Sequence, residues 1–214
     1  LFEREGRYPR LTAEGQVLLP RAREVVAELD RLKAQAKGLA AGLEPALAMV
    51  VNVMFPSHIL AASVSAFHVR FPDTPLRIGV EGMGAVIEPV LAGTFDFGIR
   101  GPLAVAHPEL GSEFILDVDY VMLAAPDHPL ARFTGPIPRR ELLGHVQLVL
   151  SDRSRLTAGQ DFRVMSEKTW RISDLGAKHA FLKQGVGWGG MPMHVVREDI
   201  ERGRLVPLVL EEGQ

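Results

Sequence analysis

The chain has 214 residues, of which 47% are hydrophobic and 23% charged, and its formal net charge is −2. This size and composition fit a soluble globular protein with one or two hydrophobic cores. No run approaches the ~20 apolar residues of a membrane span, and the first thirty residues lack a signal peptide, so we expect a cytoplasmic protein without a membrane partner. The absence of cysteine excludes disulfides, thiolate nucleophiles and Cys-ligated zinc.

A coiled-coil pattern marks the N-terminal part of the chain. Apolar residues recur at alternating steps of four and three at Leu18, Ala22, Val25, Leu29, Leu32, Ala36 and Leu39. This spacing is the a/d seam of about three heptads and predicts one long helix that pairs with a second copy. Thr12 suits its N-cap, and Gly38 with Gly42 and Pro45 suits its end, while Pro20 is a misfit inside it. A helix packed on the core of its own domain is the alternative.

Beyond residue 45, short apolar strands alternate with helical segments. The strands are ALAMVVNV, LRIGVEG and DFGIRGP in one half, and EFILDVDYVMLAAP, ELLGHVQLVLSD, TWRISD and VGWGGMP in the other. This alternation predicts two α/β halves, each a parallel sheet covered by helices. Ligands in such folds bind outside the carboxyl ends of the strands. The candidate site therefore lies in the loops that begin at Asn52, Gly82, Arg100, Ser151, Ser173 and Trp188.

Several motifs, taken in order, resemble the LysR-type transcriptional regulators. They are LFERxxRxxxLTxxG at the start, the long seam helix, FPD, the EG turn, GTFDFGIRGP, APDHPLA and QGVGWGGMP. The resemblance implies a winged helix-turn-helix that reads DNA, a linker helix that dimerises, and an α/β effector-binding domain with two lobes, similar to type II periplasmic binding proteins. It implies these boundaries: 1–12, remnant of the winged helix-turn-helix; 13–42, linker helix; 46–120 and 193–214, effector-binding subdomain I; 121–192, subdomain II.

The same resemblance points to an effector site. Many members of the family hold a carboxylate with Ser or Thr hydroxyls in the first loop and the EG loop, and the matched positions here are Asn52, Met54 and Gly84, so two hydroxyls are lost. The candidate effector-binding residues are Asn52, Val53, Met54, Phe55, Gly82, Met83, Gly84, Arg100, Gly101, Ser151, Asp152, Ser173, Asp174 and Trp188.

The chemistry of these residues suggests the kind of effector. Met54, Phe55, Met83 and Trp188 offer soft and aromatic surfaces for a compact aromatic or apolar molecule. If the effector is an anion, Arg100 would receive it through a bidentate pair. In the alternative interpretation, the apolar residues only close the interface between the lobes, and Arg100 pairs with an acid such as Asp152 or Asp174.

The N-terminal arginines are the candidate DNA contacts. Arg4, Arg7 and Arg10 can reach phosphates but carry no base specificity, and they also fit a solvated edge. The recognition helix implied by the resemblance would precede Leu1, so we expect DNA as a partner of the full-length protein only. The other expected partners are a small-molecule effector and further copies of the chain, in a homodimer or homotetramer.

Other signals are weaker. Gly185, Gly187 and Gly190 spell GxGxxG, but this motif follows a helix and opens a strand, the reverse of a dinucleotide site. The seven histidines show no ligand spacing, and Ser151 lies in no nucleophile elbow, so we expect no cofactor, no metal site and no enzyme. A periplasmic-type solute-binding protein and a small α/β enzyme remain as alternatives to the regulator.

Overall fold

The computed structural model describes residues 1–5, 8–40, 46–101, 107–151, 154 and 163–211. The chain divides into two compact units, residues 1–47 with 64–77 and residues 48–63 with 78–214. Among the helices in the described ranges, none combines the length and the hydropathy needed to cross a bilayer.

The N-terminal unit begins with a hairpin that leads into a long helix. Strands β1 (Phe2–Glu5) and β2 (Tyr8–Leu11) are antiparallel, and helix α1 follows at Ala13–Ala40. The Thr12 hydroxyl accepts a hydrogen bond from the Gly15 N–H at 3.2 Å. This bond satisfies one of the free donors of the first turn and confirms the predicted N-cap.

The apolar seam of α1 is exposed at the positions whose side chains the structure describes. Leu18, Val25, Leu29 and Leu32 are between 48% and 68% exposed. Pro20 lies inside this helix, which continues through it without a break. This apolar stripe is the surface that the sequence predicts to pair with a second copy.

A three-stranded sheet carries the first group of loops. Strand β3 lies in its centre between β4 and β5, and β3 and β5 are parallel. The elements are β3 (Leu47–Asn52), α2 (Ser57–Arg70), β4 (Leu76–Glu81), a 3₁₀ turn (Met83–Val86), α3 (Ile87–Leu91) and β5 (Phe97–Ile99). Val50 and Val51 are buried. Helix α2 has no fully buried residue, but its half-buried side chains lie on one face: Ile59, Leu60, Val64 and Phe67.

A five-stranded sheet carries the second group of loops, in the order β10-β6-β9-β7-β8. Its strands are β6 (Tyr120–Ala124), β7 (Gln147–Leu150), β8 (Thr169–Ile172), β9 (Trp188–Pro192) and β10 (Val206–Pro207). Strand β7 is parallel to β8 and β9, but β6 is antiparallel to β9 and β10. The sheet is therefore mixed, where the sequence predicted a parallel one, because β6 enters it against the direction of β9.

Three helices accompany this sheet, and an apolar core lies on each of its faces. The helices are α4 (Arg139–Leu143), α5 (Leu175–Lys183) and α6 (Met193–Glu201). The tryptophan core consists of Met122, Ala124, Leu130, Ile137, Leu142, Trp188, Leu208 and Leu210. The leucine core consists of Leu123, Leu148, Leu150, Leu175, Leu182, Met191, Val196 and Leu205. Because Leu123 lies between Met122 and Ala124 on one strand, the two cores occupy opposite faces of the sheet.

The end of the chain packs differently from the sequence expectation. The sequence predicts residues 193–214 in subdomain I, but Val206 of β10 pairs with Ala124 of β6, and Val196 of α6 belongs to the leucine core. Among the described residues, the segment from α6 onward thus joins the five-stranded sheet. The apolar face of α6 and the β10 pairing account for this placement, which the alternation of elements alone does not reveal.

The glycines between α5 and β9 have structural roles. Gly185 has a φ of +70° directly after α5, where the left-handed conformation ends a helix. The next residue, Val186, donates its N–H to the carbonyl oxygen of Phe181 at 3.2 Å. In β9, a Cβ at Gly190 would clash with the ring of Tyr120. Gly185 therefore ends α5 and Gly190 permits close packing, which explains both glycines without a nucleotide site.

Candidate functional site

The loop after β3 is held by the side chain and backbone of Asn52. The Asn52 Oδ1 atom accepts a hydrogen bond from the Met54 N–H at 2.9 Å, and its carbonyl oxygen accepts one from the Phe55 N–H at 2.8 Å. The residue is 5% exposed. An asparagine that bonds to the backbone two residues on forms a tight turn. Asn52 therefore fixes the shape of this loop from within.

The ends of the other strands of the small sheet lie against this loop. The Val53 N–H donates to the carbonyl oxygen of Glu81 at 2.9 Å. A Cβ added at Gly101 would lie 3.2 Å from Asn52 Nδ2, so the chain after β5 passes close beside the Asn52 amide. Three strand ends thus meet at one edge, as expected for this sheet architecture.

The end of β7 in the larger sheet comes close to the same edge. The Ser151 N–H donates to the carbonyl oxygen of Ile172 at 2.8 Å, which keeps the ends of β7 and β8 together. A Cβ at Gly82 would lie 3.6 Å from the carbonyl oxygen of Ser151. Val53 and Met54 pack against the leucine core. The loops of both sheets therefore converge, and we call Asn52–Phe55, Gly82, Gly101 and Ser151 the strand-end site.

A second contact joins the two sheets near this site. The Ser154 hydroxyl donates a hydrogen bond to Glu88 Oε1 of α3 at 2.9 Å. Ser154 is buried, with 6% of its surface exposed. This pair has no sequence signal, because neither residue follows a strand directly or belongs to a recognisable motif.

The other predicted residues have varied surroundings. Arg100 and Ser173 are exposed, and Gly84 is buried in the 3₁₀ turn. Asp174 is the N-cap of α5, since its Oδ1 accepts a hydrogen bond from the Ala177 N–H at 2.6 Å. Asp152 and the side chain of Met83 lie outside the described residues. A role for Asp174 as the N-cap explains its presence without a ligand.

Trp188 does not lie at the surface of the strand-end site. Its side chain is fully buried in the tryptophan core. The sequence placed it at a strand end, but β9 begins at Trp188 and ends at Pro192. The carboxyl end of β9 is thus four residues further on, and the structure separates Trp188 from the other predicted residues.

A buried lysine on α5 contacts β9, and the sequence did not indicate it. Lys178 is 2% exposed, and its Nζ donates to the carbonyl oxygen of Gly190 at 2.8 Å. The Tyr120 hydroxyl donates to the same oxygen at 2.8 Å. Burial lowers the pKa of Lys178 to about 8. Burial also raises the pKa of Tyr120, and this effect outweighs the charge of Arg163, which acts in the opposite direction. The sequence could not show this burial, because lysine on a helix is usually exposed.

Two histidines come together beyond the first loop. The ring of His58 at the start of α2 lies 6.4 Å from that of His194 at the start of α6, measured between centroids. Partial burial and the neighbouring His58 lower the pKa of His194. Within the part of the chain that the structure describes, no group of three or more His, Cys, Asp or Glu residues could hold a metal ion.

The sequence of residues 40–214 matches the LysR substrate binding domain model. The chain belongs to this family. The match covers more than half of the chain and includes every residue of the strand-end site. It confirms the resemblance found in the motifs.

Known proteins of the family match along most of the chain. The HTH-type transcriptional regulator YeeY of Escherichia coli K12 is 28% identical over 216 residues, covering 96% of this chain and 67% of YeeY. The structure of CrgA, a LysR-type transcriptional regulator from Neisseria meningitidis, superposes with a TM-score of 0.58 at 20% identity and covers 100% of this chain and 72% of CrgA.

A solved effector-binding domain has the same fold. The effector-binding domain of QuiR in complex with shikimate superposes with a TM-score of 0.58 at 16% identity, covering 79% of this chain and 82% of that domain. At this identity the likeness shows the fold alone. The chain therefore has the two-lobed α/β architecture of LysR effector-binding domains, similar to type II periplasmic binding proteins.

Proposed function

We propose that this chain senses a small molecule at the strand-end site and transmits its binding to DNA-binding heads. The chain is the effector-binding region of a LysR-type regulator. The observation that carries the assignment of the site is the approach of Gly82 to the carbonyl oxygen of Ser151, with 3.6 Å to a Cβ at Gly82. A molecule held there would contact loops from both sheets and could favour one arrangement of them.

The residues around this edge favour a compact aromatic or apolar effector. Met54 and Phe55 are half-buried and present soft and aromatic surfaces, while the exposed Arg100 offers a guanidinium. The effector-binding domain of QuiR was solved in complex with shikimate, a small molecule, which supports an effector of similar size for this chain. We infer that an anionic effector pairs with Arg100, and that Asn52 shapes the site rather than binding through its Oδ1 atom.

Replacing Arg100 tests the proposed anion contact. We expect Arg100→Ala to weaken binding of an aromatic acid by more than ~1 kcal/mol, or about fivefold, because the bound anion loses its paired charge. The measurement is a thermal-shift screen of benzoate, adipate and benzamide, followed by calorimetric titration of the best ligand.

Arg132→Ala is the matched control for this experiment. Arg132 is exposed at the end of the 3₁₀ turn Pro129–Arg132, away from the strand ends. Equal stabilisation of the Arg100→Ala variant and the unmodified chain would remove Arg100 from the site. A preference for adipate over both aromatic probes would contradict the proposed apolar character of the site.

The link to DNA is a coupling free energy between two sites. An effector that binds one arrangement more tightly shifts the population toward it, and ~1–3 kcal/mol of coupling suffices for a strong response. We infer that α1 carries this change to the DNA-binding heads and joins two copies, in a homodimer or homotetramer. The side chains of Arg4, Arg7 and Arg10 lie outside the part of the chain that the structure describes. We propose that they add phosphate contacts near those heads. In this function the protein acts in the cytoplasm and is not an enzyme.

The seam of α1 gives a direct test of self-association. We expect the unmodified chain to sediment as a dimer or larger, and Leu29→Asp to shift it toward the monomer, because a charge would enter an apolar a/d contact. Gln16→Asp is the control, since residue 16 lies on the opposite side of the helix from Leu18. A monomeric sedimentation profile of the unmodified chain at micromolar concentration would contradict the proposal.

A further inference from the structure

Two histidines that follow different sheets face each other. His58 is in the first turn of α2, after the loop Asn52–Phe55, and His194 is in the first turn of α6, just after β9. Their ring centroids are 6.4 Å apart, and the ring planes meet at 65°. Since α2 follows β3 of the three-stranded sheet and α6 follows β9 of the five-stranded sheet, the pair connects the two sheets.

Strand directions place this pair beside the strand-end site. Strands β7 and β9 are parallel, so Ser151 after β7 and Pro192 at the end of β9 lie at the same edge of the sheet. Val195, the neighbour of His194, packs against the leucine core together with Val53 of the first loop. The histidine pair therefore borders the strand-end site.

The surroundings of His194 favour its neutral form. Partial burial, and after it the charge of His58, lowers the pKa of His194 below its ordinary value of about 6.5. The charged residues on the other described elements at this edge are Glu81, Arg100, Asp119, Asp174 and Arg197. None of these described groups adds to the effects of burial and His58 on this pKa. Protonation of His194 in the free chain therefore requires acid pH, and it would place a second cation beside a protonated His58.

We propose that His58 and His194 form a proton-dependent anion contact at the rim of the strand-end site, so that the chain binds an anionic effector together with a proton. This inference rests on the effector function proposed above and adds the regulation of that site by pH. Imidazolium rings donate charge-assisted hydrogen bonds to an anion, which neutral rings cannot do. An anion between the rings would also offset their mutual repulsion. Effector binding should therefore become tighter as the pH falls.

The ring resonances of the histidines test the contact directly. We expect saturating benzoate to raise the pKa of His194, measured by NMR titration of its ring carbon, because the bound anion favours the charged imidazole. The ring resonance of His68 should not respond to benzoate, since His68 is exposed in the last turn of α2. Without ligand, His58→Gln should raise the pKa of His194, because a neighbouring positive charge is removed.

The pH dependence of binding gives the second test. Benzoate is ionised and benzamide is neutral at both about pH 7.5 and about pH 5.5, and the guanidinium of Arg100 keeps its charge over this range. We expect calorimetry to show benzoate binding roughly three- to tenfold more tightly at the lower pH, with no such change for benzamide. His194→Gln should remove this pH dependence, and the control His68→Gln should retain it.

The outcomes separate this inference from the proposed function. Equal benzoate affinity at both pH values, or a pH dependence that persists in a folded His194→Gln variant, would overturn the inference and leave the strand-end site in place. An unchanged pKa of His194 at saturating benzoate would overturn it as well. Failure of the proposed function would differ, because no backbone amide of the strand-end site would then shift with benzoate at either pH.

Discussion

Replacing Gly187 by alanine is expected to cause the largest loss of stability of any single change considered for this chain. A Cβ at this position would clash with the carbonyl oxygen of Val146, the atom that accepts a hydrogen bond from the Trp188 N–H at 3.0 Å. Because both partners are backbone, the clash can be relieved only by separating β9 from the end of the α4–β7 loop. We expect a cost of about 3 kcal/mol or more, and a melting temperature lower by roughly 6–12 °C.

Gly144→Ala is the control for this substitution. Gly144 follows α4 with a φ of −72°, and the nearest atom to a Cβ there is the Glu141 carbonyl oxygen at 3.7 Å. We expect a change within about 0.5 kcal/mol, since alanine adopts this conformation without strain. Equal melting temperatures for the Gly187→Ala variant and the unmodified chain would show that the strands do not approach as described.

The second large effect is expected at Asp199 in α6. This buried carboxylate lies 2.6 Å from His179 Nε2, 2.5 Å from Arg204 Nε and 3.9 Å from Lys183 Nζ. It links α5 and α6 to the turn that precedes β10. We expect Asp199→Asn to lower the free energy of unfolding by about 2 kcal/mol at neutral pH, because charge-assisted hydrogen bonds are lost while Arg204 and Lys183 can still reach water.

The pH dependence of this effect follows from the pKa of Asp199. Burial alone would raise the pKa, but the hydrogen bonds from Arg204 and His179 and the charges of Lys183 and Arg204 outweigh it and hold the pKa below its ordinary value. A depressed carboxyl pKa stabilises the fold fully above about pH 4 and less as the pH falls through the folded-state value. Urea unfolding should therefore show a smaller difference between Asp199→Asn and the unmodified chain at acid pH.

Glu198→Gln separates the role of Asp199 from general surface charge. Glu198 pairs with Arg202 at 2.7 Å, but its side chain is 63% exposed. Exposed pairs contribute about 0.2–1 kcal/mol, so we expect a small change with this variant. Equal losses for both substitutions, or a difference for Asp199→Asn that does not depend on pH, would contradict the assigned network.

Much of the secondary structure could be predicted from the sequence. The run ALAMVVNV contains β3 (Leu47–Asn52), and VGWGGMP contains β9 (Trp188–Pro192). These elements are bounded by glycine, proline or capping residues, which give a local signal. The 3₁₀ turn Pro129–Arg132 and helix α4 (Arg139–Leu143) were missed, because four or five residues are too few to show a helical period.

The site was harder to predict than the elements. The loop at Asn52 and the approach of Gly82 to Ser151 follow from the rule that strand ends meet at one edge. The burial of Trp188 does not, because a strand covered on both faces shows no alternation that separates core from surface. The burial of Lys178 is a tertiary effect with no local pattern, because the residue is covered by its contact with β9, where its Nζ donates to the carbonyl oxygen of Gly190.

Chemical-shift mapping tests the proposed effector site most directly. The backbone amides of the uniformly ¹⁵N-labelled chain would be followed during titration with the acid that stabilises it most in the thermal-shift screen. We expect the largest shifts at Asn52–Phe55, Gly82, Gly101 and Ser151, with saturation lost in Arg100→Ala. Shifts centred instead on Leu142, Met165 and Leu210, with no change at the strand ends, would contradict the assignment of effector sensing to the strand-end site.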